Sequence, residues 1–445
     1  MNPAKAAPPA SLLARLRHST AARDGLYVLF AQGLATAIAL GVDVLLFRWL
    51  SPPERGTLTA ALGLRNILLY VADMGLALTT VRVASAYVAQ GQSAQADAVF
   101  RRALSTRIAL AAIVIALAAA LSPLLSAFPL AAPARHALIW ASAAALFGMT
   151  ATSWGVDVSR STRRFGLYFA HQFIEAALKA AAVVCVLVLF TGRLNSEVVL
   201  WAMAIAATVA GLASITLQRQ PLLKRQPLDP STRAALHTEI SSFGRYAGAI
   251  ALLQTVSAFV EVFLIQWQRG STDTAVFEGA RRLASVLPLL AGAIATVLLP
   301  RAAALESADA CKAYVKKAFP VTLALAVVSA GALAAAASFI IPILWGDRYA
   351  QSIPALRWLC LAYGISIVLD PLMLVLFPLK RLGLLLTLNA LSLALSIGLG
   401  IFLIPRLGPL GAAWSVLCVK VTTAIVFSAA LALALKKTPP MTNDQ

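Results

Sequence analysis

The stretch Asp43-Val-Leu-Leu-Phe-Arg-Trp49 ends a long apolar run and leads into the polar turn Ser51-Pro52-Pro53-Glu54-Arg55-Gly56. A similar stretch, Glu261-Val-Phe-Leu-Ile-Gln-Trp267, begins 218 positions later and also leads into a polar turn. Both copies place an acid first, a valine second, a leucine fourth and a tryptophan seventh. The correspondence suggests that the chain contains two related halves.

The spacing between the copies persists along the chain. Trp140 matches Trp358 at an offset of 218, and the basic turn that starts at Arg163 matches the turn that starts at Lys380 at an offset of 217. An offset that drifts by only a few residues over a half-chain is typical of a duplicated unit. We therefore interpret the sequence as an internal repeat.

The composition is that of an integral membrane protein. Of 445 residues, 60% are hydrophobic and 12% are charged, and the mean hydropathy is +0.82; soluble domains are about one-quarter charged. Apolar runs of about twenty residues recur, each long enough to cross a bilayer as a helix. The sequence predicts an all-α polytopic membrane protein.

Twelve membrane-spanning helices are predicted, six in each half. They cover roughly 26–50, 57–80, 104–125, 136–156, 166–190, 197–217, 243–267, 275–299, 318–341, 354–378, 384–404 and 411–435.

The expected domains are an N-terminal lobe (1–217), a cytoplasmic linker (218–242) and a C-terminal lobe with a short cytoplasmic tail (243–445). Because six is an even number, both lobes enter the membrane in the same direction. A pseudo-two-fold axis along the membrane normal then relates them, and a cleft between them can open to either side.

Charge predicts the orientation. One side of the membrane receives 24 lysines and arginines, and the other receives 7. The basic excess belongs in the cytoplasm, so both termini are predicted to be cytoplasmic. The same rule explains the formal charge of +19, and no nucleic acid partner is predicted.

Motifs for metal, cofactor or catalytic chemistry are not found. The four cysteines and four histidines are dispersed through the sequence, which argues against a metal site or a disulfide framework. No nucleotide-binding loop or Ser/His/Asp arrangement is present. We expect no metal, no cofactor and no enzyme activity.

Eleven ionisable residues fall within the predicted spans. They are Asp43, Asp73, Glu175, Glu261 and Asp370 among the acids, and Arg65, Lys179, Arg281, Arg282, Arg357 and Lys420 among the bases. Each costs about 2.5–3.5 kcal/mol at the centre of a bilayer. Those that do not reach the interface must face protein or water, so a polar interior is expected.

The fifth span carries His171, Glu175 and Lys179, spaced by four residues and hence on one stripe of the helix. One interpretation is a Glu175–Lys179 ion pair that only fixes packing. The other places the stripe on the cleft, with Lys179 binding an anionic group and Glu175 or His171 exchanging a proton.

Four further bases are candidates for binding an anion. Arg65, Arg281 and Arg282 lie in the second and eighth spans, and either bind in the cleft or reach to the interface. Since adjacent helical residues point about 100° apart, Arg281 and Arg282 cannot both face the cleft squarely. Lys420 has no acid nearby in its own span, which favours a cavity or a partner on another helix.

Acids in the spans are candidates for coupling or gating. Asp43 and Glu261 occupy equivalent places in the two halves. Asp370 precedes Pro371 in the tenth span, where proline bends a helix. A hinge and a binding role are both compatible with that position.

Six motifs are spread over nearly the whole chain: the stretch from Phe47 to Gly56, Asp73-Met-Gly-Leu76, Ala280-Arg281-Arg282-Leu283, Leu298-Leu-Pro300, the stretch from Leu344 to Tyr349, and the stretch from Gly408 to Ala413. Together they resemble motifs of the Wzx-type oligosaccharide flippases, in the multidrug/oligosaccharidyl-lipid/polysaccharide exporter superfamily.

The resemblance implies translocation of an oligosaccharide linked to undecaprenyl pyrophosphate across the bacterial inner membrane by alternating access. The product would feed O-antigen, capsule or exopolysaccharide synthesis. Membrane lipids are expected partners, and the polysaccharide polymerase machinery is a candidate partner. Family members are similar in having a cationic cleft, for which Arg65, Lys179, Arg281 and Lys420 are the candidates.

Two alternatives stay open. A cation-coupled drug or metabolite antiporter of the same superfamily would call for an acidic cleft, whereas the spans hold six bases and five acids. An integral-membrane glycan polymerase or ligase would be expected to carry its reacting groups on a sizeable outer loop. The predicted outer loops are all short.

Overall fold

The computed structural model describes residues 20–131, 135–190, 194–223, 229–239, 244–292, 308–373 and 382–437. Within these ranges the regular secondary structure is helical throughout, and no strand is formed. The predicted all-α fold is confirmed. Both chain ends, 1–19 and 438–445, lie outside the described residues.

The helices follow one another with short connections. The first lobe contains α1 (Thr20–Trp49), α2 (Pro52–Asp73), α3 (Leu76–Ala89), α4 (Ser93–Ala120), α5 (Ser122–Ala127), α6 (His136–Ser161), α7 (Phe165–Leu189) and α8 (Ser196–Leu217). Two short helices, α9 (Gln220–Leu223) and α10 (Pro230–Glu239), lie in the predicted linker. The second lobe contains α11 (Arg245–Gln268), α12 (Ser271–Ala284), α13 (Ala308–Trp345), α14 (Ser352–Met373), α15 (Leu382–Leu407) and α16 (Pro409–Lys437).

Where the structure describes them, the predicted spans are largely helical. Ten of the described helices are long and apolar enough to cross a membrane, and the pair α2 and α3 brings the number to eleven if it counts as one bent span. The remaining predicted span, 275–299, starts with α12 and runs into residues 293–307, which lie outside the described residues. These helices form the two six-span lobes.

The second span is bent, which corrects its predicted end. The span is predicted over 57–80, but the helix turns by 44° between Asp73 and Leu76 and continues as α3 to Ala89. Met74 and Gly75 both have positive φ angles, 43° and 78°, which stop the α2 hydrogen-bond ladder. The Asp73 carboxylate then accepts a hydrogen bond from the Ala77 amide at 3.2 Å and caps α3.

The internal repeat is visible in the packing of the helices. In the first lobe α1 packs on α7, α7 on α8, α6 on α8 and α2 on α6. The equivalent pairs of the second lobe, α11 on α15, α15 on α16, α14 on α16 and α12 on α14, also pack together. Two halves that repeat the same helix contacts in the same order are expected from a duplicated unit.

The lobes meet through the leading helices of each half. We name the end of the bundle where α1, α11 and α13 finish the distal end, and the end where α3, α6 and α8 finish the proximal end. α2 packs along both α11 and α12. A Cβ atom at Gly56 would lie 1.7 Å from the Ser271 carbonyl oxygen, so glycine is needed for this approach. The seam between the lobes is therefore a close backbone contact.

Candidate functional site

A polar cavity of about 360 Å³ lies between the two lobes. Helices α1, α2, α6, α7 and α8 of the first lobe and α11 and α12 of the second supply its walls. Its ionisable lining residues are Arg55, Arg65, Lys179, Arg281, Arg282, Asp43, Glu175 and Glu278. Five bases and three acids give this described wall a net charge of +2 when all are ionised.

Asp43 lies where the two lobes face each other and pairs with one arginine from each. Its Oδ1 accepts a hydrogen bond from Arg55 Nη2 at 2.8 Å, within the first lobe. Its Oδ2 forms an ion pair with Arg282 Nε, from α12 of the second lobe. The carboxylate thus bridges the lobes inside the cavity.

Arg65 is the cavity base with the weakest compensation. Its side chain is 6% exposed, and its Nε has no hydrogen-bond partner among the described residues. Glu175 is the acid that interacts with it electrostatically. A buried guanidinium with an unsatisfied donor is costly, because burial removes its water without replacing the lost hydrogen bonds. Arg65 therefore keeps an unused hydrogen-bond donor among the described residues.

Two ion pairs within single helices complete the charged wall. On α7 the Lys179 ammonium lies 3.6 Å from the Glu175 carboxylate, and both side chains are 27% exposed. On α12 Arg281 donates to both oxygens of Glu278, at 2.7 and 2.9 Å. The Arg281 guanidinium also lies 5.2 Å from the centre of the Phe259 ring. Arg281 therefore lies along its own helix, which leaves room for Arg282 to reach Asp43.

Six of the ten predicted site residues line this one cavity. They are Asp43, Arg65, Glu175, Lys179, Arg281 and Arg282. They come from four helices that are far apart in sequence. The cavity thus brings together four of the five bases predicted to bind an anion and two of the five candidate coupling or gating residues.

His171 does not line the cavity with Glu175 and Lys179. Its ring is 1% exposed, and its Nδ1 lies 3.0 Å from the Ser214 hydroxyl of α8. Residues spaced by four drift about 40° per step around a helix, so His171 lies about 80° from Lys179. That rotation turns the imidazole toward α6 and α8 and away from the second lobe.

Glu261, Asp370 and Lys420 do not line the cavity either and lie together in the second lobe. Glu261 is 5% exposed, bonds to the Ser396 hydroxyl and lies near both Arg281 and Lys420. Lys420 also interacts with Asp370. The expectation that Lys420 finds a partner on another helix agrees with this arrangement; its predicted role in binding the headgroup stays a prediction.

Sequence reasoning missed Arg55 and Glu278 as members of the site. Arg55 was expected in a polar turn, but it begins the second turn of α2 and is 1% exposed. Glu278 precedes Arg281 by three residues, a spacing that favours an ion pair on one helix face. That spacing was readable from the sequence.

A second polar pocket, of about 270 Å³, lies within the first lobe and shares Glu175 with the cavity. Arg107 of α4 is fully buried there and pairs with Asp73 at 3.1 Å and with Asp157 at 2.7 Å. These pairs tie α4 to the ends of α2 and α6. In the part of the chain that the structure describes, no cluster of His, Cys, Asp or Glu could hold a metal ion.

Comparison with known proteins assigns the chain to a family. The profile of the family described as "Polysaccharide biosynthesis protein" matches residues 21–306. The chain belongs to this polysaccharide biosynthesis family. A search of curated proteins gave no significant match.

Solved structures share the fold at low sequence identity. An inward-facing multidrug resistance MATE transporter of the MOP superfamily has a TM-score of 0.69 at 14% identity, covering 91% of this chain and 96% of that one. The lipid II flippase MurJ, in an inward closed conformation, has a TM-score of 0.67 at 12% identity, covering 93% and 88%. An outward-facing MATE transporter has a TM-score of 0.59 at 15% identity, covering 95% and 98%. The polysaccharide biosynthesis chain thus has the fold of superfamily transporters, as the motifs predicted.

Proposed function

We propose that the protein is a flippase that carries an oligosaccharide linked to undecaprenyl pyrophosphate across the bacterial inner membrane. The observation that carries the proposal is the cavity between the lobes, with its net charge of +2 and the under-compensated Arg65. The family assignment supports a place in polysaccharide biosynthesis. Neither argument depends on a catalytic group, and we propose transport without bond cleavage.

The charge of the cavity matches the headgroup. A pyrophosphate diester carries about two negative charges. At 4 Å and an effective dielectric constant of about 20, one such charge pair is worth about 4 kcal/mol. Arg65 and Arg282 can each present two parallel N–H groups to phosphate oxygens. The cavity thus offers both the charge and the donor geometry that a pyrophosphate needs.

The side of the cavity at α1 and α12 favours a lipid-linked substrate. α2 packs closely along α11, whereas the repeat-related helices α12 and α1 meet through side chains, at the Asp43–Arg282 pair and at Phe47 beside Gly279. A cavity that is less tightly closed on this side suits a substrate whose polar head enters while its prenyl tail stays in the bilayer. A water-soluble cargo needs no such lateral opening.

Alternating access follows from the two-lobe architecture. Hydrogen bonds between the lobes close the distal end in this structure, at Arg48 to Leu344, Thr57 to Ser271 and Gln266 to Leu130. With the basic excess placed in the cytoplasm, the proximal end and both termini are cytoplasmic. We propose that this state receives the substrate from the inner leaflet.

The cavity charge also weighs against the alternatives. A cationic drug would meet five bases and three acids. A polymerase or ligase would be expected to need an outer domain for the reacting groups, whereas only residues 50–51 join α1 to α2 at the distal end. We retain the antiporter as the second candidate, because structural relatives include MATE transporters.

Lys179→Ala tests the assignment in cells of the source bacterium. Loss of a cavity base is expected to reduce surface glycan at least about tenfold and to leave lipid-linked oligosaccharide in the inner leaflet, since tenfold corresponds to about 1.4 kcal/mol of transition-state stabilisation. Lys420→Ala, outside the cavity, is expected to have the smaller effect. Arg357→Ala serves as the control, because Arg357 is exposed and bonds to Ser338. Wild-type surface glycan in the Lys179 variant would contradict the cationic-cavity assignment.

A further inference from the structure

An aromatic and arginine contact ties the two lobes at the distal end. We define the distal latch as Phe47, Arg48, Trp345, Arg348 and Tyr349. The Phe47 ring lies 4.3 Å from the Trp345 ring and 5.0 Å, edge-on, from the Tyr349 ring. The latch thereby joins the last turn of α1 to the end of α13.

The arginines of the latch cap each other's helices. Arg48 donates to the backbone carbonyls of Ile343 and Leu344, and Arg348 donates to that of Phe47. These carbonyls belong to the last turns of α13 and α1, where helix geometry leaves them without intrahelical partners. Positively charged donors at helix C-termini are favourable. The latch is therefore a reciprocal contact between the lobes.

Arg55 connects this latch to the cavity. Its guanidinium lies 4.3 Å from the centre of the Phe47 ring, in cation–π contact with the latch. From the same group, Nη2 donates to Asp43 and Nη1 donates to Thr59 at 3.1 Å. Asp43 in turn pairs with Arg282 of the second lobe. A chain of direct contacts thus runs from Arg282 in the cavity to Phe47 at the distal end.

The Arg55 side chain can respond to an anion. It is 1% exposed and lines the cavity, and its Nε has no hydrogen-bond partner in the described part of the chain. An anion that binds Arg282 competes with Asp43 and attracts Arg55 as well. Because the guanidinium is a rigid plane, turning its donors toward the cavity moves it off the Phe47 ring.

We propose that Arg55 is the positioning residue through which an anion bound in the cavity releases the distal latch. The inference rests on the proposed function for the presence of that anion. In the empty protein Arg55 supports Phe47 and the lobes stay joined at the distal end. In the loaded protein Arg55 is drawn to the headgroup, and the latch loosens only when cargo is present.

A second tie between the lobes provides a matched control. Gln266 of α11 donates to the Leu130 carbonyl at 2.8 Å, and Trp267 meets the Phe128 ring edge-on at 5.8 Å. Gln266 occupies the position in the second repeat that Arg48 occupies in the first. Gln266 contacts the segment after the third span, and Arg48 contacts the end of the ninth span, which is the repeat-related place. None of these four residues lines the cavity. We therefore expect this repeat-related contact to join the lobes but not to change when an anion binds in the cavity.

The test is a distance across the latch, measured by electron–electron double resonance in lipid nanodiscs. Spin labels are placed at Trp49→Cys and Ala350→Cys, both exposed and on opposite lobes, with the four native cysteines replaced by serine. The probe is undecaprenyl pyrophosphate at saturation, and its binding is measured on the same samples. Inorganic pyrophosphate in a parallel sample shows whether the headgroup alone suffices.

The probe is expected to shift the wild-type distances to longer values. Arg55→Gln should lose the shift, and Phe47→Leu, which keeps an apolar side chain of similar volume, should lose it too. Gln266→Ala should change the starting distances yet keep the shift, since a structural tie sets the baseline only.

Each other result has one meaning. Absence of probe binding to the wild type would overturn the proposed function and the relay together. Binding without a shift in the wild type would overturn the relay alone. A distance shift of wild-type size in both Arg55→Gln and Phe47→Leu would also overturn the relay and leave the proposed function intact.

Discussion

At the scale of single residues, the cavity shows how a membrane protein keeps uncompensated charge. Asp43 has two arginine partners, whereas Arg65 has an unsatisfied Nε and one interacting acid that it shares with Lys179. A balanced set of pairs would be more stable, because buried groups without partners are expensive. The surplus of two positive charges is the feature that we connect with an anionic substrate.

Glu175→Gln should therefore strengthen anion binding. The Glu175 carboxylate lies 3.6 Å from Lys179 and competes with any anion for it. Both side chains are partly exposed, so solvent screens the pair. The expected gain is about fivefold in the dissociation constant for inorganic pyrophosphate, or about 1 kcal/mol, measured by isothermal titration calorimetry.

Glu197→Gln is the control for this substitution, since Glu197 is partly exposed, lies 3.8 Å from Arg135 and is outside the cavity. Its dissociation constant for pyrophosphate should equal that of the wild type. Weaker binding by the Glu175 variant would mean that the carboxylate organises the site instead of competing with the ligand.

At the scale of elements, the α2–α3 break connects the lobes at the proximal end. Gly75 has φ of +78°, and a Cβ atom there would lie 2.3 Å from the Gly244 carbonyl oxygen of the second lobe. Only glycine fits both the backbone conformation and the approach. Gly75 is therefore required both for the bend of the second span and for the close approach of the lobes at the proximal end, where Gly248 of α11 faces it.

Gly75→Ala should lower the melting temperature of the purified protein more than Gly91→Ala does. Gly91 has a similar φ, +73°, but nothing lies within 4 Å of its Cβ position. In the Gly91 variant, backbone strain alone should lower the free energy of unfolding, by about 1 kcal/mol. In the Gly75 variant the new Cβ atom must also displace the backbone at the start of α11. Equal losses, followed by tryptophan fluorescence during heating, would show that the seam tolerates displacement there.

The sequence predicted where the helices lie along the chain better than which face each helix turns toward its neighbours. Span length, repeat and charge bias follow from the bilayer, which imposes the same requirements on every helix. The charges of the spans had to leave the lipid, and six of the ten predicted residues do meet in one cavity. The partners of Asp43 could not be predicted, because Arg282 lies on a helix more than two hundred residues away whose rotation depends on packing.

The same limit explains the residues that lie elsewhere. Lys179 and Lys420 are both bases in mid-span, but Lys179 pairs with Glu175 in the cavity, whereas the packing of α16 directs Lys420 toward Glu261 and Asp370 of the second lobe. The 80° rotation between His171 and Lys179 could be calculated from the sequence. The sequence could not predict which side of α7 faces α8 and which side faces the cavity.

At the scale of the whole molecule, two repeated lobes enclose a cationic cavity and meet both at the distal end and where Gly75 approaches Gly244 at the proximal end. The distal hydrogen bonds agree with a state that is closed on that side. Separation of the lobes at the distal end, with closer contact at the proximal end, would move the opening of the cavity from one side of the membrane to the other.

The most direct test of the account is translocation by the purified protein in proteoliposomes. Fluorescent undecaprenyl pyrophosphate in the two leaflets can be distinguished by its accessibility to a membrane-impermeant quencher. We predict that the wild type accelerates its translocation, that Arg65→Ala reduces the rate at least about tenfold, and that Arg357→Ala matches the wild type. Translocation by Arg65→Ala at the wild-type rate would contradict the assignment of the cavity as the pyrophosphate site.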